Sequence, residues 1–227
     1  MSFVGRNSFV GRNSEAYCAA PQQPAHYGLR PNAPYVFAAA ARAASVWLAF
    51  GLSSVVAAHA QTIEEKAQIC SACHGDDGVP QDKATPVIAG QHQGYLYLQL
   101  RDYKNGTRAN EPMASIAGAL ERDDMMALAE YFSRQPWPNL RQPPASAEET
   151  ATARRANAAI GCTGCHLGEY QGDGTQPRLA GQSRDYMART MEDFRTRARA
   201  NNPGMSDLMR AASEADLVAL ADYLAGL

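Results

Sequence analysis

Cys70-Ser71-Ala72-Cys73-His74 and its echo, Cys162-Thr163-Gly164-Cys165-His166, decide how this chain is organised. Cys-x-x-Cys-His is the pattern for covalent attachment of haem. Two thiols one helical turn apart can each add to one vinyl group of a single porphyrin. The next residue, a histidine, is then held under the iron as proximal ligand. One such pentapeptide can arise by accident; two in a chain with five cysteines point to two sites. Cys70, Cys73, Cys162 and Cys165 are therefore expected to carry two covalently bound haem c groups, with His74 and His166 on iron. Paired Cys-x-x-Cys motifs also bind zinc, but zinc does not require a histidine directly after each pair.

The surroundings of the two motifs repeat. Cys70 to Met113 spans 43 positions, as does Cys162 to Met205, and the 18 positions from Met113 to Tyr131 recur from Met205 to Tyr223. Pro86-Val87-Ile88-Ala89-Gly90-Gln91 matches Pro177-Arg178-Leu179-Ala180-Gly181-Gln182, and Tyr95 matches Tyr186. The offset is 92 at the motifs, 91 in the middle and 92 again from the methionines onward. Two copies of one structural unit are the simplest source of such spacing.

Each unit is expected to be three to four helices around a cofactor, and the class all-α. Thr62-Ile63-Glu64-Glu65 and Ser146-Ala147-Glu148-Glu149 are capping boxes opening the first helix of each unit. Middle helices are expected over 94–105 and 184–199. In the last helices Met125, Leu128, Ala129 and Phe132, and again Leu217, Leu220, Ala221 and Leu224, fall at i, i+3, i+4, i+7. Four prolines within 136–144 cannot continue a helix and read as a stiff, extended connector. The expected division is a leader over 1–60, one domain over 61–138, a linker over 139–146 and a second domain over 147–227.

The leader carries four arginines against a single acid, then an apolar run from Ala43 to Val56 that ends at Ala58-His59-Ala60. This is the form of a secretory signal peptide cleaved after Ala60. The alternative is an uncleaved anchor, but the run is short of the roughly 20 residues a spanning helix needs. A tandem copy at the start, Ser2 to Asn13, and the lack of methionine between Met1 and Met113 fit a translation start nearer Leu29 or Val36. Residues 61–227 hold 17 Lys plus Arg and 22 Asp plus Glu, a net charge of −5. No basic block invites nucleic acid. An acidic surface suits docking to a basic partner patch, and a leader kept as an anchor would add peripheral membrane association. An exported protein whose thiols are consumed as thioethers also avoids free thiols in an oxidising compartment.

For the distal ligand, Met113 and Met205 hold matching places in the repeat. Met125, Met126, Met187, Met191 and Met209 are assigned to packing, since Met125 is matched by Leu217, Met191 by Leu100 and Met209 by Ala117. His92 could serve one site only, its counterpart being Ser183. Pro86 and Pro177 are placed to offer a carbonyl to the free ring N–H of each histidine. Tyr95 and Tyr186, with Arg101 and Arg178, are candidates for the haem propionates, packing being the alternative.

These motifs together resemble the dihaem cytochrome c4 family over essentially all of residues 61–227. The resemblance implies two tandem class I cytochrome c domains, each haem with His/Met ligands. It also implies a periplasmic one-electron carrier linking a quinol-oxidising complex to a terminal oxidase. The departures are Leu167, where the first unit has Gly75, and the loop after it. The other role open to such a chain is the cytochrome subunit of a periplasmic dehydrogenase, such as a sulfide- or alcohol-oxidising complex. A dihaem peroxidase would need an open distal position and a longer chain. In every case the partners are redox proteins, and the chain itself turns over no substrate.

Overall fold

The computed structural model describes residues 61–227; the expected leader, its cleavage point and Cys18 lie outside them. Among the described residues the structure is helical, with one isolated bridge between Asp173 and Gln176 and no strand. The first half comprises α1 (Ile63–His74), α2 (Gln93–Lys104), α3 (Glu111–Gly118) and α4 (Arg122–Ser133). The second comprises α5 (Ala147–Ile160), α6 (Thr163–His166), α7 (Arg184–Thr196), α8 (Pro203–Arg210) and α9 (Glu214–Ala225). Helix α4 packs on α1 and α2, and α2 also on α3; α9 packs on α5 and α7, and α7 also on α8. The repeat in sequence is thus a repeat in packing.

The helix starts are those the capping residues dictate. The Thr62 hydroxyl accepts from the Glu65 N–H while the Glu65 carboxylate accepts from the Thr62 N–H. Ser146 with Glu149, and Ser213 with Asp216, do the same. Each box satisfies two N–H groups that a helix start leaves without partners. At Glu121 the cap is carried by Asp124, which reaches back to the Glu121 N–H at 3.3 Å.

The first half holds four helices, within the three to four expected, and the second holds five. The segments that contain Met113 and Met205 are themselves short helices, α3 and α8. Pro112 and Pro203 fall in their first turns, where a missing N–H costs nothing. The two haem motifs also differ. Cys70 to His74 form the last turn of α1, whereas α5 stops at Gly161 and the second motif is the separate helix α6. Gly161 has φ 81°, the left-handed conformation that ends a helix. The position matching it is Ile69, which is β-branched and resists that conformation.

Apolar stripes on the last helices face inward as expected. Met125, Leu128, Ala129 and Phe132 are buried on α4, and Leu217, Leu220, Ala221 and Leu224 on α9. Met187, Met191 and Met209 are core residues too, but Met126 lies at the surface, 38% exposed, because it falls between the buried positions of α4. The protein core of the first half is thin: Ala67, Leu96, Leu128, Ala129 and Phe132 are its buried cluster. Residues 136–146 are non-helical, as their prolines require, yet the connector is not a free spacer. Gln142 pins it to the second half, donating to the carbonyls of Gln182 (2.9 Å) and Ala225 (3.2 Å) and accepting from the Arg184 N–H (2.9 Å).

Behind each motif the chain must turn sharply. Gly75 does so at φ 75°, ψ 159°, and Leu167 at φ 64°, ψ 171°, a region open almost only to glycine. A Cβ on Gly75 would lie 2.3 Å from the Val79 carbonyl oxygen, so glycine is required there. Leu167 carries the same backbone strain with its side chain 46% exposed, so little burial offsets it. Leu167→Gly should therefore stabilise the protein by about 1 kcal/mol in denaturant unfolding. Gly75→Ala should destabilise it in the same assay by on the order of 2 kcal/mol or more.

Candidate functional site: two histidine centres and the seam between them

His74 ends α1 and His166 ends α6, and both are buried, 7% and 5% exposed. The Nδ1 of His74 lies 3.0 Å from the Pro86 carbonyl oxygen, and that of His166 lies 2.9 Å from the Pro177 carbonyl oxygen. A carbonyl can only accept, so the proton is on Nδ1 and the lone pair of each ring is on Nε2. Burial lowers both imidazole pKa values, and the carbonyl bonds, which favour the charged form, do not reverse this. The two rings are neutral, oriented, and have one nitrogen free to bind a metal. That is the state an iron ligand needs.

The cysteines precede the histidines in sequence and are partly open to solvent. Cys70 and Cys162 are half-buried and Cys73 is exposed. Burial pushes the thiols of Cys70 and Cys162 up, so they are not preformed thiolates for a metal. Among the described residues no group of three or more His, Cys, Asp or Glu side chains is placed to hold a metal ion.

Met113 and Met205 are placed by one device used twice. Each is the third residue of its helix, with its N–H donated to the side-chain oxygen of the capping asparagine, Asn110 or Asn202, at 3.1 Å. In the second half a shallow cleft, open to solvent, is lined by Cys165 and Met205 together, with Gln176, Asn202, Gly204 and Leu208. The structure thus brings the second motif and its matching methionine to one place. His92, the single-site alternative, is occupied elsewhere: its Nε2 lies 2.8 Å from the Gln171 carbonyl oxygen.

At the seam between the halves lies a cluster that the sequence only partly identifies. Arg108 donates to the Tyr186 hydroxyl (3.0 Å) and Arg199 to the Tyr95 hydroxyl (3.4 Å), so each arginine reaches the tyrosine of the opposite half. Both also donate to Gln99 at 2.8 Å. Arg108 stacks on Tyr103 and Arg199 on Phe194, with 4.6 and 4.3 Å to the ring centres. The guanidiniums are 8% and 7% exposed, and among the described residues neither has a carboxylate partner. Burial alone would push the Tyr186 hydroxyl up, but the two arginines outweigh it and pull its pKa down to about 7. Two buried cations that favour an anion in their midst fit the carboxylates of a porphyrin edge.

Arg101 and Arg178, candidates for the propionates with packing as the alternative, are not in this cluster. Arg101 pairs with Asp102 at 2.7 Å, its side chain 45% exposed. Arg178 stacks on Trp137, 4.6 Å from the ring centre. The repeat could have excluded them, since Arg101 is matched by Glu192 and Arg178 by Val87, whereas Arg108 and Arg199 match each other. Arg108→Gln and Arg199→Gln should each lower both midpoint potentials of the matured protein, because a cation near the iron disfavours its ferric state. Arg101→Gln should leave both unchanged in the same redox titration.

A cytochrome c family model matches residues 150–227. The cytochrome c4 of Thiocapsa roseopersicina is 37% identical over 180 residues, 74% of this chain and 92% of its own length. A thiosulfate dehydrogenase electron acceptor of Stutzerimonas stutzeri is 34% identical over 172 residues, 71% of this chain and 80% of its own. The crystal structure of reduced recombinant cytochrome c4 from Pseudomonas stutzeri superposes with a TM-score of 0.64 at 30% identity, covering 73% of this chain and 96% of that one.

Proposed function

This chain belongs to the cytochrome c4 family, and from that premise we propose that it is a periplasmic carrier taking single electrons from a quinol-oxidising complex to a terminal oxidase. It is a dihaem-type electron-transfer protein, not an enzyme. Covalently bound haem is the cofactor its family implies. Cys70 and Cys73 would hold one haem and Cys162 and Cys165 the other, with His74 and Met113 on the first iron and His166 and Met205 on the second. The observation that carries this assignment is the doubled arrangement of buried histidines, each with Nδ1–H on a proline carbonyl and Nε2 free. The division into domains over 61–138 and 147–227, joined by 139–146, rests on helices that pack by halves.

When bound, haem supplies a one-electron change between ferrous and ferric states, at a potential set by ligands, burial and hydrogen bonds. The chain's own residues do the rest. The proline carbonyls hold the histidines in one tautomer, and the asparagine caps fix where the methionine side chains begin. With Met113 and Met205 as ligands, neither iron would keep a place for a small molecule to react. The buried arginines and tyrosines offer the propionates hydrogen bonds across the seam. Among the described residues no helix is long and apolar enough to cross a membrane. Export rests on the apolar run that ends at Ala58-His59-Ala60.

The similarity to a thiosulfate dehydrogenase electron acceptor favours a second reading, in which the donor is a periplasmic dehydrogenase. The two separate in rapid mixing. Oxidised protein should be reduced faster by a quinol-oxidising complex with quinol than by thiosulfate dehydrogenase with thiosulfate; the opposite order selects the dehydrogenase. The ligand assignment has its own test. Native ferrous protein should bind no carbon monoxide at neutral pH, and Met113→Ala and Met205→Ala should each open one site per chain. Carbon monoxide binding by the native protein would remove methionine from at least one iron.

A further inference from the structure

We propose that Gln91 and Gln182 are reciprocal positioning residues, each tuning the histidine centre of the opposite half through a single shared peptide group. The proposal rests on the assignment of His74 and His166 as iron ligands. The Gln182 side chain meets the backbone of Val87 twice: its Oε1 accepts from the Val87 N–H at 2.9 Å and its Nε2 donates to the Val87 carbonyl at 2.9 Å. Gln91 does the same to Arg178, accepting from its N–H at 2.9 Å and donating to its carbonyl at 3.0 Å. Each Oε1 accepts a further N–H from its own half, that of Ser183 at 2.8 Å or of His92 at 3.0 Å. Both glutamines are buried, 2% and 3% exposed. The backbone partners fix the orientation of each amide, since an N–H only donates and a carbonyl only accepts.

The consequence lies in which peptide is gripped. The Val87 N–H and the Pro86 carbonyl belong to one amide unit, and the Pro86 carbonyl is the acceptor for His74 Nδ1–H. A continuous chain therefore runs from His74 Nδ1–H to the Pro86 carbonyl, through the Val87 N–H, to Gln182 Oε1. Its mirror runs from His166 Nδ1–H to the Pro177 carbonyl, through the Arg178 N–H, to Gln91 Oε1. When an amide N–H donates, its carbonyl becomes a better acceptor, so bonds in such a chain strengthen one another. A stronger bond at Nδ1 makes the other ring nitrogen a more basic ligand. A more basic ligand favours the ferric state and lowers the potential. Each half thereby sets the electron affinity of the other. Glutamine is the side chain that fits this double grip, because glutamate lacks the donor and asparagine is one methylene shorter.

The test uses the full, matured protein carrying Gln182→Met or Gln91→Met, titrated by potential, with the two steps assigned to halves from the axial-methionine proton resonances. Gln182→Met should raise the His74 step by about threefold to tenfold in its equilibrium constant, tenfold being about 59 mV for one electron, and spare the His166 step. Gln91→Met should do the reverse. The Nδ1–H resonance of the affected histidine should move upfield with the potential. If the methionine variant fails to mature, Gln182→Asn must show the same opposite-half shift. A shift confined to the variant's own half, an equal shift of both, or none would overturn the proposal. Haem content is measured on the same samples: fewer than two haems in the native chain contradicts the ligand assignment, whereas two haems with an uncrossed pattern contradicts only the role of the glutamines.

Discussion

Everything at the two centres depends on one hydrogen bond made twice, from a buried histidine Nδ1–H to a proline carbonyl 12 or 11 residues further on. It fixes the tautomer, aims the ring and keeps the other nitrogen unprotonated. For the bond to form, the chain must leave the Cys-x-x-Cys-His turn abruptly and come back beneath it. Gly75 and Leu167 make that exit with backbone dihedrals that L-residues avoid. The strain at Leu167 shows that the return path is held by the rest of the fold, since nothing in leucine prefers it.

The second constraint is the seam. The proline segments that receive the histidines are also the segments through which the halves meet. Gln91, Gln182 and the Arg108–Tyr186 and Arg199–Tyr95 pairs all act across it, each with its counterpart on the other side. An interface made of paired, buried, polar contacts is specific in register, because sliding it by one residue would leave several donors and acceptors unsatisfied. The halves are therefore more than two beads on a proline string. Gln142 holds the connector itself against the second half.

Much of this was legible in the chain because the repeat supplies an internal control. Residues that recur at the same place in both halves, such as Met113 with Met205 and Pro86 with Pro177, proved to occupy equivalent positions. Arg101 and Arg178 do not recur, and they proved to lie outside the seam cluster. What the sequence could not display was local: that Pro112 and Pro203 sit in the first turns of short helices, and that Gly161 splits α5 from α6. Both depend on backbone angles that proline and glycine permit without requiring. The glutamines were visible as a matched pair, but that each reaches the other half's peptide is a tertiary fact with no periodicity to betray it.

The central claim is that each half of one chain holds its own covalently attached haem through its own motif. The most direct measurement is the mass of the intact chain purified after maturation in an exporting host, followed by peptide mapping. Two haems per chain are expected, one on the Cys70–Cys73 peptide and one on the Cys162–Cys165 peptide. A single haem, or haem-free cysteines in either motif, would contradict it.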